Sequence, residues 1–308
     1  MPSTDASQPP MQVTSPVGTD RAGRRARAFY ELTKPGIAGF VMMTAGVSFY
    51  VGAAGRVSLL PLLFTLVGTV LATAGALALN QYLEREVDAR MSRTRTRPLP
   101  SGRLTAGEAL VFGLFLIGSG CILLWLTVGP LPAVLTLVSA GAYNFVYTPL
   151  KSRSYMATFA GAIPGAMPAL IGWSAATGQV TLAAMVLFAI AFLWQIPHVL
   201  ALAWLLREDY LRAGFYLTPP ADPEGKIIGR QMVLYSLVLI PVSLAPTFLA
   251  ITGSIYLGGA LVLGLAVLWW SWQASRGMTR SSVRKVFLGS LAYQPLLLGL
   301  MLLDTVRL

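Results

Sequence analysis

Nine long apolar blocks dominate the chain and leave few folds open to it. They run over residues 36–54, 60–80, 107–127, 131–148, 156–176, 180–204, 232–252, 254–273 and 286–304. Each approaches the roughly 20 residues a helix needs to cross the hydrocarbon core of a bilayer. The blocks are continuous, whereas the strands of a membrane barrel alternate apolar with polar residues, so helices are expected. Block 131–148 is the shortest and carries Asn144, so its ends are the hardest to place. Only 11 % of the 308 residues are charged and 55 % are hydrophobic, against about 25 % charged in a soluble domain. The expected fold is all-α, a polytopic membrane bundle of about nine transmembrane helices.

Residues 1–28 stand outside this pattern. They are polar, with a basic cluster at Arg21, Arg24, Arg25 and Arg27, and read as a disordered basic cytoplasmic tail. They lack the apolar stretch of a cleaved signal peptide, and Asp5 and Asp20 argue against a transit peptide. Residues 29–308 form the membrane domain.

The net charge of +11 raises nucleic-acid binding as a first alternative. The distribution excludes it, because the basic residues lie between apolar blocks and not on a polar domain. They also orient the chain. The N-terminus and the 80–106, 149–155, 205–231 and 274–285 loops hold 21 of the 23 Lys and Arg, leaving Arg56 and Arg307 on the other side. The positive-inside rule puts the first set in the cytoplasm. A single cysteine, Cys121, excludes an intrachain disulfide framework, and a single histidine, His198, excludes a multi-histidine metal site.

The segment Asn80-Gln-Tyr-Leu-Glu84-Arg-Glu86-Val-Asp88 is the richest in chemistry. Positions four apart share a helix face, so Asn80, Glu84 and Asp88 form a stripe of oxygen ligands and Glu86 points elsewhere. Such ligands suit Mg²⁺, which takes one or two carboxylates and completes its shell with water and substrate phosphates. Arg93 and Arg97 follow, and a guanidinium fork fits diphosphate oxygens. The bland alternative is a solvated helix end whose acids offset nearby arginines. A second charged loop carries Glu208 and Asp209, expected ligands of a second metal, with Arg212 and Lys226 as diphosphate contacts. Metals and cations at a membrane surface neutralise a diphosphate leaving group. An allylic cation would then sit in an aromatic-rich cavity, with Tyr143, Tyr147, Trp173 and Trp194 as candidate walls. For each of these, ordinary packing is the competing reading. His198, inside a span and just after Pro197, could ligate a haem iron or act as a base. A hydrogen-bonded histidine between helices is the alternative.

On these residues the chain resembles the UbiA superfamily of intramembrane prenyltransferases, and within it the haem-modifying branch. The stretches concerned are LTKPGI (32–37), NQYLEREVDARMSRTRTRPLPSGRL (80–104), YTPLK (147–151), GAIPGAMPALIGW (161–173), FLWQIPH (192–198) and REDYLRAG (207–214). The resemblance implies nine helices around a central cavity and Mg²⁺-dependent transfer of farnesyl from farnesyl diphosphate to a vinyl group of haem B, giving haem O. It implies Asn80, Glu84 and Asp88 as the first metal–diphosphate motif, with Arg93 and Arg97 as its basic continuation. Lys151 matches a cytoplasmic basic position, Asp209 the second acidic loop, and His198 a residue of haem handling. Two departures stand out. Glu84 replaces the usual Asp of the first motif, and Ala213, four after Asp209, breaks the acidic spacing of quinone-pathway relatives. A bacterial inner membrane is expected over a mitochondrial one, with a haem A synthase or oxidase-assembly factor as partner. The competing functions are a prenyltransferase for a quinone precursor or chlorin, and a transporter, which should show broken helices at the midplane.

Overall fold

Hydrocarbon offers no partner to a backbone N–H or C=O, so each apolar block closes its hydrogen bonds internally. The structure, a computed structural model, describes residues 17–306, with side chains from residue 22. Its elements are α1 (Val17–Leu32), α2 (Pro35–Gly52), α3 (Leu59–Asp88), α4 (Ala106–Thr127), α5 (Pro130–Leu150), α6 (Ala157–Thr177), α7 (Leu182–Leu205), α8 (Arg207–Ala213), α9 (Lys226–Phe248), α10 (Ser254–Ser275) and α11 (Arg280–Leu303). Among the described residues, nine of these helices (all except α1 and α8) are long and apolar enough to span a membrane.

Several helices outrun their apolar blocks at one end of the bundle, hereafter the charged end. α3 continues past residue 80 to Asp88, α9 begins at Lys226 and α11 at Arg280. A helix need not stop where the hydrocarbon stops, provided its terminal groups find partners. Thr279 caps α11 by accepting from the Ser282 amide. The Asp222 carboxylate accepts from the amides of Ile227 and Ile228 at the start of α9. At 30 residues, α3 is about 45 Å long, longer than the roughly 30 Å hydrocarbon core.

The tail expected to be disordered is helical from Val17. Ala28 and Leu32 bury their side chains in a cluster with Leu104 and Ala109. Ion pairs Arg25–Glu108 and Arg103–Glu31 pin α1 to the α3–α4 connection, and this apolar and ionic anchorage explains the order. Residues 1–16 and Arg307 lie outside the described residues.

Lipid gives helices no hydrophobic reason to associate, so small residues set the packing. Gly68 and Gly75 of α3 meet Gly120 and Gly113 of α4 so closely that a methyl group on any of them would strike the facing backbone or side chains. Gly172 of α6 lies equally close to the Ala45 backbone of α2. α2, α3, α5, α6, α7 and α11 surround a cavity of about 560 Å³, while the buried core sits mainly between α2, α6, α7 and α11 on its flank.

Candidate functional site

Three helices that line the cavity each carry a polar or charged group just beyond its charged end. Leu77 of α3, Tyr147 of α5 and Gly36 of α2 line it. Asn80, Lys151 and Lys34 follow within about a turn. Asn80, Glu84 and Asp88 share one buried face of α3, while Glu86 is exposed. Each stripe member meets a cation. Lys34 Nζ donates to Asn80 Oδ1 at 3.2 Å, Lys151 Nζ to Glu84 at 2.8 Å, and Arg97 Nη1 to both oxygens of Asp88 at 2.8 and 2.6 Å. Asn80 also donates through Nδ2 to Thr148 Oγ1 at 3.0 Å. Lys151 lies 4.3 Å from the Tyr147 ring centroid, a cation–π contact that holds the ammonium over the cavity wall.

Lys34 is the residue that sequence reasoning overlooked, although the LTKPGI stretch contains it. It is a non-glycine residue in the left-handed region, φ 45° and ψ 65°, immediately before Pro35. That conformation costs of order 1–3 kcal/mol and persists only where the surroundings impose it. Burial pulls its ammonium down to about 7, with Arg97 and Lys151 adding like-charge repulsion and Glu84 and Asp88 opposing them.

α5 departs from regular helix at Ala142–Tyr147, a π-helical segment. Such segments frequently occur at functional sites. Here it brings Tyr143 and Tyr147 together, ring centroids 5.3 Å apart, on the cavity wall. Thr148 donates to the carbonyl of Tyr143 five residues back, and so ties the segment to Asn80. Gly161 of α6 makes room for it. A methyl on Gly161 would hit the Tyr147 ring, and one on Gly165 would hit Gln195. The carbonyl of Pro164, at the same wall, accepts from Ser139.

Deeper in the cavity, α7 contributes Trp194, Gln195 and His198. Trp194 stacks on Phe40 at 5.9 Å and on His198 at 5.5 Å. The walls are mainly apolar, but Thr44, Thr69 and Gln294 give the inner end a polar patch. Trp173, expected as a wall, is buried in the core and does not line the cavity.

The second loop does not gather as expected. Asp209 is buried, but its Oδ1 accepts from the Ser92 amide and hydroxyl at 3.3 and 3.2 Å and from Arg212 at 3.2 Å. It therefore clasps the α3–α4 connection. Glu208, one residue earlier on α8, is turned out to solvent, because neighbours on a helix lie about 100° apart. Arg212 is 68 % exposed, and Lys226 is 72 % exposed and paired with Glu224 at 2.6 Å. Arg93 is also exposed. None of these four lines the cavity. Among the described residues no three His, Cys, Asp or Glu side chains converge. The oxygen groups on the buried face of α3 are two carboxylates and one amide, the types that Mg²⁺ takes alongside water and phosphate.

Comparisons with known proteins show the family and the fold. Residues 41–294 match the UbiA prenyltransferase family. The chain is 46 % identical over 287 residues to a protoheme IX farnesyltransferase of Solibacter usitatus, covering 90 % of this chain and 98 % of that protein. It is 38 % identical to the Koribacter versatilis protein of the same name, covering 95 % and 98 %. Its fold resembles a digeranylgeranylglyceryl phosphate synthase, with a TM-score of 0.76, 16 % identity and coverage of 92 % and 99 %. It also resembles a UbiA homologue from Archaeoglobus fulgidus bound to GPP and Mg²⁺, with a TM-score of 0.61, 15 % identity and coverage of 89 % and 99 %. With nine membrane-length helices among the described residues, cations and carboxylates at one end of the bundle, and these relatives, the chain is an integral membrane transferase and belongs to the UbiA prenyltransferase family.

Proposed function

We propose that the protein transfers a farnesyl group from farnesyl diphosphate to a vinyl group of haem B, with addition of water, to give haem O. The name of its relatives supports this acceptor and donor. The observation that supports the reading is the row of pairs Lys34–Asn80, Lys151–Glu84 and Arg97–Asp88 on the face of α3 that runs on from the wall of an apolar cavity lined also by His198.

Glu84, Asp88 and Asn80 would hold Mg²⁺, which supplies charge neutralisation to the diphosphate leaving group. Lys34, Lys151 and Arg97 receive phosphate oxygens, and the prenyl chain lies along the apolar wall below them. The C1–O bond breaks with its electron pair going to the diphosphate. Tyr143 and Tyr147 line the cavity where the allylic cation forms, and the mainly apolar walls keep it from bulk water. The vinyl terminal carbon forms the new C–C bond, which leaves a cation at the carbon attached to the porphyrin. Water adds there and releases one proton. Glu208, Arg93, Arg212 and Lys226 have no part in these steps. The charged end faces the cytoplasm of a bacterial inner membrane, as the Lys and Arg distribution supports.

The test is a product assay. Purified protein in detergent or liposomes receives haem B, farnesyl diphosphate and Mg²⁺, with a chelator control, and haem O is sought by chromatography and mass spectrometry. Chelator-sensitive haem O is expected. Product only with a quinone precursor or chlorin would overturn the acceptor and leave prenyl transfer standing.

A further inference from the structure

His198 is a wall residue whose ring is held on three sides. Trp194 stacks against it at 5.5 Å and Phe287 at 4.7 Å. Its Nδ1 lies 3.0 Å from the hydroxyl of Ser290. Ser290 is fully buried on α11 and stands at the centre of the arrangement. Its carbonyl accepts from Trp194 Nε1, and its hydroxyl donates to the carbonyl of Phe287 at 3.0 Å.

A serine hydroxyl has one proton to give. Of the two tautomers of His198, the one with Nδ1–H donating to Ser290 is the one that lets Ser290 donate to Phe287 as well, and it leaves Nε2 its lone pair. The rings of Trp194 and Phe287 pack against the imidazole and its Nδ1 edge meets α11, so Nε2 is the nitrogen left to the cavity that His198 lines. A neutral imidazole with Nδ1–H engaged and Nε2 open is the form that ligates a metal, and an acceptor on the far nitrogen is what usually fixes it.

We infer that Ser290 is a positioning residue, which fixes the tautomer and orientation of His198 so that Nε2 ligates the iron of the haem acceptor. This rests on the haem reading above. It goes further in assigning a role to a buried serine on another helix, 92 positions away in the chain. Ligation by a ring packed against Trp194 and Phe287 would hold the porphyrin in one place and so set which of its edges reaches the charged end.

Purified protein is titrated with haem B, and the absorption and electron paramagnetic resonance spectra of the iron are recorded for wild type, Ser290→Ala, Ser290→Thr, His198→Ala and the Ser290→Ala/His198→Ala double variant. Ser290→Ala retains the carbonyl that holds Trp194. It is expected to weaken haem binding about 10- to 100-fold, with a loss of the imidazole-ligated iron spectrum. It should raise KM for haem while KM for farnesyl diphosphate stays unchanged. Ser290→Thr keeps the hydroxyl and restores the spectrum. In the His198→Ala background, Ser290→Ala should have no further effect, since the two residues act as one unit. An equal loss in both backgrounds would show that Ser290 acts through packing alone. Haem turnover by wild type with an iron spectrum identical to that of His198→Ala overturns the ligation and leaves the reaction standing. A wild type that neither binds nor converts haem B, yet binds farnesyl diphosphate with Mg²⁺, overturns the haem reading itself.

Discussion

The Arg97–Asp88 pair predicts an order of stabilities that a simple sum of contacts would not give. Asp88 is only 1 % exposed at its side chain, whereas Arg97 is 22 % exposed. Arg97→Met leaves a buried carboxylate without its ion-pair partner, and breaking a buried pair in this way costs about 3–5 kcal/mol. Asp88→Asn is gentler. The amide oxygen still accepts from a guanidinium that reaches water, so the change is from a charge-assisted to an ordinary hydrogen bond, about 1 kcal/mol. The double variant leaves a buried amide short of a partner, about 1–3 kcal/mol. Adding Asp88→Asn to Arg97→Met should therefore recover roughly 2 kcal/mol, although it removes another native group. Chemical unfolding in detergent, followed by tryptophan fluorescence, measures the four proteins, and haem O production should be lost in all three variants. A double variant less stable than Arg97→Met would refute the reasoning, because the isolated buried charge would then not be the source of the cost.

Other consequences are as direct. Lys34→Gly should raise thermal stability, by relief of the left-handed backbone, while weakening farnesyl diphosphate binding by about tenfold, an ion pair's worth; a loss of both would make Lys34 structural. Gly75→Leu should prevent assembly, whereas Gly118→Leu on α4, where an added Cβ meets nothing within 4 Å, should be accepted; yields of folded protein on size-exclusion chromatography compare them. Lys226→Ala should leave turnover at the wild-type level, since its ammonium pairs with Glu224 in solvent. Arg103 holds the Glu31 carboxyl below its usual 4.5, so that pair stabilises the docked α1 above that value and the contribution is lost as pH falls through the depressed one. Hydrogen exchange in α1 should accordingly rise on acidification before exchange in the spans does, and a uniform rise would count against it.

Much of this was legible because membrane helices announce themselves by length. The Asn80–Glu84–Asp88 stripe was readable too, since a four-residue spacing fixes a shared face. The second loop misled for the complementary reason. Glu208 and Asp209 are adjacent in sequence, which reads as a pair, yet adjacency on a helix separates side chains, and Asp209 turned inward to the Ser92 hydroxyl and amide. Helix ends were set by groups that no hydropathy pattern reports, such as the Asp222 cap of α9. The order of α1 depended on Glu108, over 80 positions away. Lys34 was hidden because its role comes from a backbone conformation and a neighbour on α3. The π segment of α5 was equally hidden: the short block around Asn144 gave uncertain ends, and a wider helical turn shifts the phase of every residue after it.

The length of α3 has a consequence for where products go. On the proposed orientation, a helix that outruns the hydrocarbon would carry its final turns, with Glu84 and Asp88, to headgroup level, while the cavity adjoins its apolar middle. On the proposed reaction, the bond that breaks would then lie on the boundary between two solvents. The diphosphate is released on the aqueous side, where it is soluble, and the enlarged, more apolar acceptor is left on the lipid side, where it is soluble. Neither product has to pass through the other's phase, and neither blocks the other's way out.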